Sequence, residues 1–218
     1  MKQKINDYKS YFTDKYFLRS FFLSLVFLVI SLIVNFYAGT YATERASNYV
    51  TDIILSNIPV FDLDGVFIWG SFILASFITL ICLYKPERIP FTLKSIALFV
   101  IIRSLFITLT HLGPFPSQIA INSDLLSKMS FGGDLFFSGH TGLPFLLALI
   151  FWKNKITRYI FLFFSIMFAI VVLLAHLHYS IDVLAAFFIT YSIFHIAEYL
   201  FKKDKKMLDR VTSEEKIL

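Results

Sequence analysis

The chain has 218 residues, of which 57% are hydrophobic and 16% charged, and its mean hydropathy is +0.73. A water-soluble domain of this size could not bury so much apolar surface, so the composition excludes a soluble globular protein and indicates an integral membrane protein. The formal net charge of +5 comes from basic residues that flank apolar segments. That arrangement argues against a nucleic-acid-binding patch.

Six apolar segments are each long enough to cross about 30 Å of hydrocarbon as a helix. We predict these spans at residues 20–38, 66–84, 95–112, 135–152, 159–176 and 181–200. The first is interpreted as an anchor rather than a cleaved signal, because its apolar run is long and mixed charge precedes it. The expected fold is therefore all-α: a six-helix transmembrane catalytic domain over residues 20–200, with tails at 1–19 and 201–218. The second tail is basic, and its polar end is predicted to be disordered.

Lysine and arginine are distributed unevenly between these spans. The N-terminal tail, the second and fourth loops and the C-terminal tail carry 17 of the 20, whereas the other three loops carry two, Arg45 and Lys128. Because cytoplasmic segments are enriched in these residues, both termini are predicted to be cytoplasmic. Residues 202–206 are also placed to contact anionic lipid headgroups.

The longest loop, residues 39–65, is predicted to lie on the outer face. Its sequence favours a short interfacial helix at residues 40–49 and a turn around Pro59, which together would cap the outer end of the bundle. The single cysteine, Cys82, excludes an internal disulfide and a cysteine metal cage.

Four of the five histidines fall toward the outer side: His111, His140, His176 and His178. The fifth, His195, lies near the cytoplasmic end, three residues before Glu198, and is interpreted as half of an interfacial polar pair. Histidine is costly in hydrocarbon unless it is paired or wetted, so the outer cluster needs partners.

The fifth loop, HLHYSID, brings two of these histidines close to an aspartate. If the sixth helix includes His178, Asp182 lies one turn further along the same face; if it begins at Ser180, the two meet only by side-chain reach. A carboxylate that accepts a hydrogen bond from one ring nitrogen leaves the other nitrogen free as a nucleophile. The spacing therefore indicates an activated histidine.

The stretch GGDLFFSGHTG, residues 132–142, opens the fourth span. Ser138 resembles an N-cap and Gly139 permits a tight turn, so the amides of residues 139–141 would form an anion site at a helix start. His140 is then placed to donate a proton to a leaving oxygen.

Arg103 lies within the third span, about 13 Å below its predicted outer end. A cation at that depth is expected to face the bundle interior and a partner, and bidentate phosphate binding is what arginine suits best. Pairing with Asp134 or Asp182 would be a purely structural role. Two histidines, an aspartate and an arginine on one face together predict a phosphoryl-transfer site.

These motifs resemble those of the sphingomyelin synthase branch of the type 2 phosphatidic acid phosphatase superfamily. SGHT and HYSID carry the resemblance, supported by RSLFITLTHLGPFP in the third span and, more weakly, by IPVFDLDG; it covers about residues 59–190. The resemblance implies a triad in which His178 attacks phosphorus, Asp182 orients it and His140 protonates the departing alcohol. It implies no metal and no organic cofactor.

The sequence departs from the phosphatase branch at three points. Phe137 replaces the proline before Ser-Gly-His, Ser104 follows Arg103 where that branch has proline, and valines 171 and 172 occupy its Ser-Arg positions. Fewer cations suit a phosphodiester, with one negative charge on phosphorus, better than a dianionic monoester.

We therefore expect a phosphotransferase that moves a phospho-headgroup from a glycerophospholipid to a lipid alcohol of the ceramide or diacylglycerol type, with its site on the non-cytoplasmic face. Besides the triad, the residues expected to bind the phosphate or substrate are Arg103, Ser138, Gly139, Thr141, Asp134 and Tyr179. The expected partners are these lipids and the bilayer itself, while the oligomeric state is left open. A lipid phosphatase or phospholipase C-like hydrolase on the same site is the closest alternative.

Two other classes fit the sequence less well. A transporter is disfavoured because the polar residues gather at one face and no internal repeat is visible. A metal hydrolase would need His140, His176, His178 and Asp182 as ligands, but the spacing of His176 and His178 suits a strand better than a helix.

Overall fold

A computed structural model describes residues 13–117 and 135–214 of the chain. Within them the chain forms helices and no strand, which confirms the all-α, polytopic fold. The helices are α1 (Lys15–Glu44), α2 (Asp64–Tyr84), α3 (Arg88–Leu109), α4 (Gly139–Ile150), α5 (Lys155–Leu174), α6 (Ser180–Leu200) and α7 (Lys202–Glu214).

Five of these helices, α1, α2, α3, α5 and α6, are long and apolar enough to cross a membrane. Many of their large apolar side chains are exposed, as expected where lipid is the solvent. α4, with 12 residues, is shorter than the predicted fourth span. Its length of about 18 Å falls short of the hydrocarbon thickness, and the non-helical segment before it continues into the bundle. Such backbone is tolerated at depth because protein surrounds it.

α1 differs from the prediction at its C-terminal end. It continues to Glu44, so the separate interfacial helix expected at residues 40–49 is wrong. Ala38 and Ala42 pack against Ile107 of α3, which extends the helical contact beyond the apolar stretch. After α1 the chain forms a turn at residues 53–57, just before Pro59. Residues 47 and 48 pair by backbone hydrogen bonds with residues 111 and 113, beyond the end of α3.

α4 lies at the centre of the helices and positions the site. Its residues 146–150 are buried in one apolar core with Phe161 and Phe168 of α5 and with Ala186 and Ile193 of α6. A Cβ on Gly70 of α2 would lie within 3.0 to 3.3 Å of α5 side chains, so α2 also packs closely here. The core therefore fixes the start of α4 relative to α2, α5 and α6.

The opposite end of the bundle, which we call the basic end, is held by a buried ion pair. Lys94 of α3 contacts the Asp204 carboxylate at 2.6 Å, and Asp204 also accepts hydrogen bonds from Tyr16 and Ser20 of α1. Residues near both termini therefore lie at the same end. The disorder predicted for the tail beyond Lys206 is wrong through residue 214, because Asp204 and the buried Leu208 dock α7 on the bundle.

Candidate active site

The turn that carries His140 begins α4. Ser138 is the N-cap, and its hydroxyl accepts a hydrogen bond from the Thr141 amide at 3.4 Å, which confirms the predicted cap. Leu135, Phe137 and Ser138 are all buried, so the chain reaches this turn through the protein interior. The start of α4 therefore lies inside the bundle.

Two neighbouring helices hold this turn from different sides. On one side, Nε of Arg103 in α3 donates a hydrogen bond to the carbonyl of Phe137 at 2.8 Å. On the other, the amide of Ser138 donates to the carbonyl of Asp182 in α6 at 3.2 Å. A Cβ on Gly139 would lie 3.1 Å from Nε of Arg103, so glycine allows the guanidinium to approach closely. Three segments far apart in sequence thus meet at residues 137–139.

The His140 ring packs between aromatic side chains. Its centroid is 4.2 Å from that of Phe67 in α2 and 5.7 Å from that of Phe168 in α5. The side chain is half-buried and lies within electrostatic range of His178 and Arg103. The next residue, Thr141, is buried: its carbonyl accepts from the Ser165 hydroxyl at 2.8 Å, and its own hydroxyl oxygen has no hydrogen-bond partner among the described residues.

His178 and Asp182 meet by side-chain reach rather than by helix register. α6 begins at Ser180, two residues after His178, and Nδ1 of His178 lies 3.5 Å from Oδ2 of Asp182. That oxygen accepts a hydrogen bond from the Tyr179 amide at 3.0 Å, which caps the helix. Both side chains are buried, and neither Nδ1 of His178 nor Oδ1 of Asp182 has a hydrogen-bond partner within the described ranges. If these two side chains moved slightly closer together, the contact between Nδ1 and Oδ2 would become a hydrogen bond.

Asp52, which the sequence analysis missed, anchors this helix start from the loop between α1 and α2. Its Oδ2 accepts from the amide and hydroxyl of Ser180 at 2.7 and 2.8 Å, and its Oδ1 accepts from the amides of Ile54 and Leu55. Burial acts to raise the pKa of Asp52, but these hydrogen bonds prevail and the pKa is lowered. The Asp-x-x turn is a local signal, whereas its partner 128 residues away is not readable from the sequence.

Tyr179 contacts two other loops near the site, the one after α1 and the one after α3. Its hydroxyl donates to the carbonyl of Gly113 at 2.8 Å and accepts from the amide of Val50 at 3.3 Å, and burial raises its pKa. The hydroxyl is thus engaged by two backbone groups, and the role of Tyr179 in binding substrate or phosphate stays a prediction.

His176 points toward a different partner from its neighbour His178. Its Nδ1 lies 2.6 Å from the Ser117 hydroxyl, and its ring packs edge-on against Phe115. Burial lowers the pKa of His176, although the Ile58 carbonyl and the Asp52 charge act in the other direction. Among the side chains that the structure describes, no group of three or more His, Cys, Asp or Glu is arranged to hold a metal ion.

Two of the remaining histidines fall outside this cluster. Asp134, expected to bind phosphate, lies outside the described residues. His111 follows the end of α3 and packs edge-on against Tyr41. His195 and Glu198 form the predicted polar pair, with Nδ1 and Oε2 3.0 Å apart.

Comparison with known proteins gives one family match. Residues 132–199 match the family model described as PAP2 superfamily C-terminal, a range that includes the Ser138 turn, His140, His178 and Asp182. No curated protein and no solved structure gives a significant match. Residues 132–199 are thus similar to the C-terminal part of the PAP2 superfamily, whose members are phosphatases or phosphotransferases.

Proposed function

We propose that the protein is a lipid phosphotransferase that moves a phospho-headgroup from a glycerophospholipid to a lipid alcohol of the ceramide or diacylglycerol type. The observation that carries the proposal is the hydrogen bond from the Ser138 amide to the Asp182 carbonyl. It joins the turn that presents His140 to the helix start that presents His178 and Asp182. Arg103 lies against the other side of the same turn.

The first half-reaction transfers the headgroup phosphoryl unit to His178. Because Nδ1 of His178 faces Asp182, Nε2 is the nitrogen that attacks phosphorus. The new P–N bond forms as the bond from phosphorus to the diacylglycerol oxygen breaks, and protonated His140 gives its proton to that oxygen. Asp182 stabilises the positive charge that the His178 ring gains.

The second half-reaction runs the same steps in reverse with a new alcohol. The acceptor hydroxyl gives its proton to His140 and attacks phosphorus, the P–N bond breaks, and His178 is regenerated. Arg103 and the amides at the start of α4 are the groups proposed to bind the phosphoryl oxygens throughout. With water as the acceptor, the same steps give a hydrolase.

The charge of the site favours a phosphodiester substrate. Valines 171 and 172, at the positions where the phosphatase branch carries Ser-Arg, are buried and apolar. The carbonyl of Val172 accepts from the amides of Leu177 and His178, so this segment supports the His178 loop through its backbone. A phosphodiester carries one negative charge and needs fewer compensating cations than a monoester.

A two-outcome lipid assay tests the proposal. Purified protein in mixed micelles receives fluorescent ceramide together with several glycerophospholipids. A new fluorescent lipid that bears a headgroup supports transfer, whereas diacylglycerol and free phospho-headgroup without it would establish the hydrolase. His178→Ala is expected to abolish turnover, and wild-type rates in this variant would overturn the mechanism. The matched control is His111→Ala, which removes an exposed histidine beyond α3 and is expected to retain activity.

The side of the membrane is tested separately. The proposal places the site on the non-cytoplasmic face, so single cysteines introduced at exposed positions within residues 45–63 should react with an impermeant thiol reagent outside intact cells. Reaction only after the membrane is opened would invert the topology.

A further inference from the structure

In the part of α7 whose side chains the structure describes, Asp204 is directed into the bundle and Asp209 is paired with lysines. Asp204 is 3% exposed and is satisfied by Lys94, Tyr16 and Ser20. Asp209 pairs with Lys205 at 2.9 Å and with Lys153 at 3.2 Å. The carboxylates of residues 204 and 209 are therefore neutralised within the molecule.

Four cationic side chains of α7 point the other way. They are Lys202, Lys203, Lys206 and Arg210, all exposed, and we call them the α7 cationic face. None forms a salt bridge with a described carboxylate, although Lys203 lies 6.0 Å from the Tyr16 ring. Positions 202 and 206, and positions 203, 206 and 210, are three or four residues apart, so these like charges are neighbours that repel each other. An external anion would relieve that repulsion.

The surroundings of α7 are those of a membrane–water interface. Trp152 and Tyr159, near the partner residue Lys153, are 48% and 61% exposed, and the Arg158 guanidinium lies 4.7 and 4.8 Å from their rings. Exposed aromatic rings beside basic residues at the ends of spanning helices are typical of the headgroup level. α7 therefore lies at the depth of lipid headgroups rather than in bulk water.

We propose that the α7 cationic face binds anionic phospholipid headgroups of the adjacent leaflet. Asp204 is buried and Asp209, whose side chain is 29% exposed, is paired with two lysines, so the exposed charges of residues 202–210 are mostly positive. Such a surface complements an anionic membrane surface better than a zwitterionic one. The contact is electrostatic and exposed, so added salt weakens it. It makes a second lipid-binding surface at the basic end, the end of the bundle opposite to His140 and His178.

The test uses the full chain in nanodiscs of phosphatidylcholine with a minor fraction of phosphatidylglycerol. The phosphatidylglycerol retained per protein after mild delipidation is measured by native mass spectrometry. Replacing all four face residues by glutamine is expected to reduce the enrichment of phosphatidylglycerol roughly tenfold. Unchanged enrichment would overturn the proposal.

The matched control removes the same charge elsewhere at the basic end. Replacing Lys15, Arg19, Lys85 and Lys155 by glutamine is expected to preserve the enrichment, and an equal loss in this variant would overturn the proposal in favour of a general charge effect. The single change Lys206→Glu, at an exposed position, is expected to reduce the enrichment of phosphatidylglycerol two- to threefold. This variant keeps the test valid if the variant with four replacements does not fold. Amide hydrogen exchange in α7 gives an independent readout. If soluble inorganic phosphate slows the exchange of the α7 amides as much as anionic nanodiscs do, α7 binds free anions and the lipid assignment is overturned.

Discussion

Replacing Asp182 with asparagine is expected to separate catalysis from stability. Asp182 is fully buried; its Oδ2 accepts the Tyr179 amide at 3.0 Å, and its Oδ1 has no hydrogen-bond partner among the described residues. Asparagine keeps an oxygen at the capping position and leaves the same number of buried polar atoms unpaired. It also removes a buried charge whose desolvation opposes folding. We therefore expect the free energy of unfolding to rise, or to fall by less than about 1 kcal/mol.

Activity is expected to change far more. A carboxylate 3.5 Å from Nδ1 of His178 can only accept a hydrogen bond from that nitrogen, which leaves Nε2 with its lone pair for attack. The same oxygen, Oδ2, also caps the helix, so an asparagine that keeps the cap still presents an oxygen to Nδ1 but carries no charge to stabilise the positive charge that the ring gains. Loss of the carboxylate beside a catalytic histidine lowers the rate by about 10³ to 10⁴. At 1.36 kcal/mol per tenfold change, this is about 4 to 5 kcal/mol of lost transition-state stabilisation.

Both quantities are measured on the same detergent-purified preparation, as kcat/KM for lipid turnover and as the midpoint of thermal unfolding. Asp62→Asn is the matched control, because Asp62 is an exposed carboxylate of the loop between α1 and α2. Activity of Asp182→Asn within tenfold of wild type would refute the argument that the Asp182 charge supports His178. A large fall in its unfolding midpoint would show that the carboxylate serves the fold.

Three further changes test other contacts. Asp52→Ala leaves four donors without their acceptor and is expected to lower the free energy of unfolding by roughly 2 to 4 kcal/mol. The folded pKa of Asp52 lies below 3.8, so the stabilisation from its carboxylate is complete above pH 3.8 and is lost as the pH falls through the lowered pKa. The thermal unfolding midpoints of wild type and variant should therefore converge in acid. A difference between the midpoints that persists at the lowest pH would contradict this prediction. Arg103→Lys keeps the charge but loses the planar guanidinium and the hydrogen bond from Nε to the Phe137 carbonyl, so kcat/KM should fall roughly ten- to a hundredfold. A wild-type kcat/KM would mean that the planar guanidinium is dispensable. Lys94→Met leaves the buried Asp204 without its cation and should lower the free energy of unfolding by about 3 to 5 kcal/mol, part of which Asp204→Asn should restore. An unchanged free energy of unfolding in the single variant would mean that the ion pair does not hold α7.

The sequence carried the features that depend on local patterns. Hydropathy identified the membrane-spanning segments, because lipid imposes long apolar runs. The cap at Ser138 followed from residue type beside a helical run, and the four-residue spacing brought His178 and Asp182 within reach even though α6 begins only at Ser180. These inferences needed no knowledge of distant contacts.

The features that the sequence left out depend on partners far along the chain. Asp204 is 184 residues from Ser20, so the composition of the tail could not reveal that a buried network would order it as a helix. The link between Asp52 and Ser180 is equally non-local. Hydropathy also counted residues 135–138 as helix, because a buried non-helical segment is as apolar as a membrane span.

The bond between residues 138 and 182 is made by main-chain atoms on both sides. Exchanging the surrounding side chains cannot delete its donor or its acceptor, except by proline at position 138. The spacing between the loop that carries His140 and the one that carries His178 is thus insulated from changes in the side chains around them. Those side chains can be exchanged without redesigning the bundle.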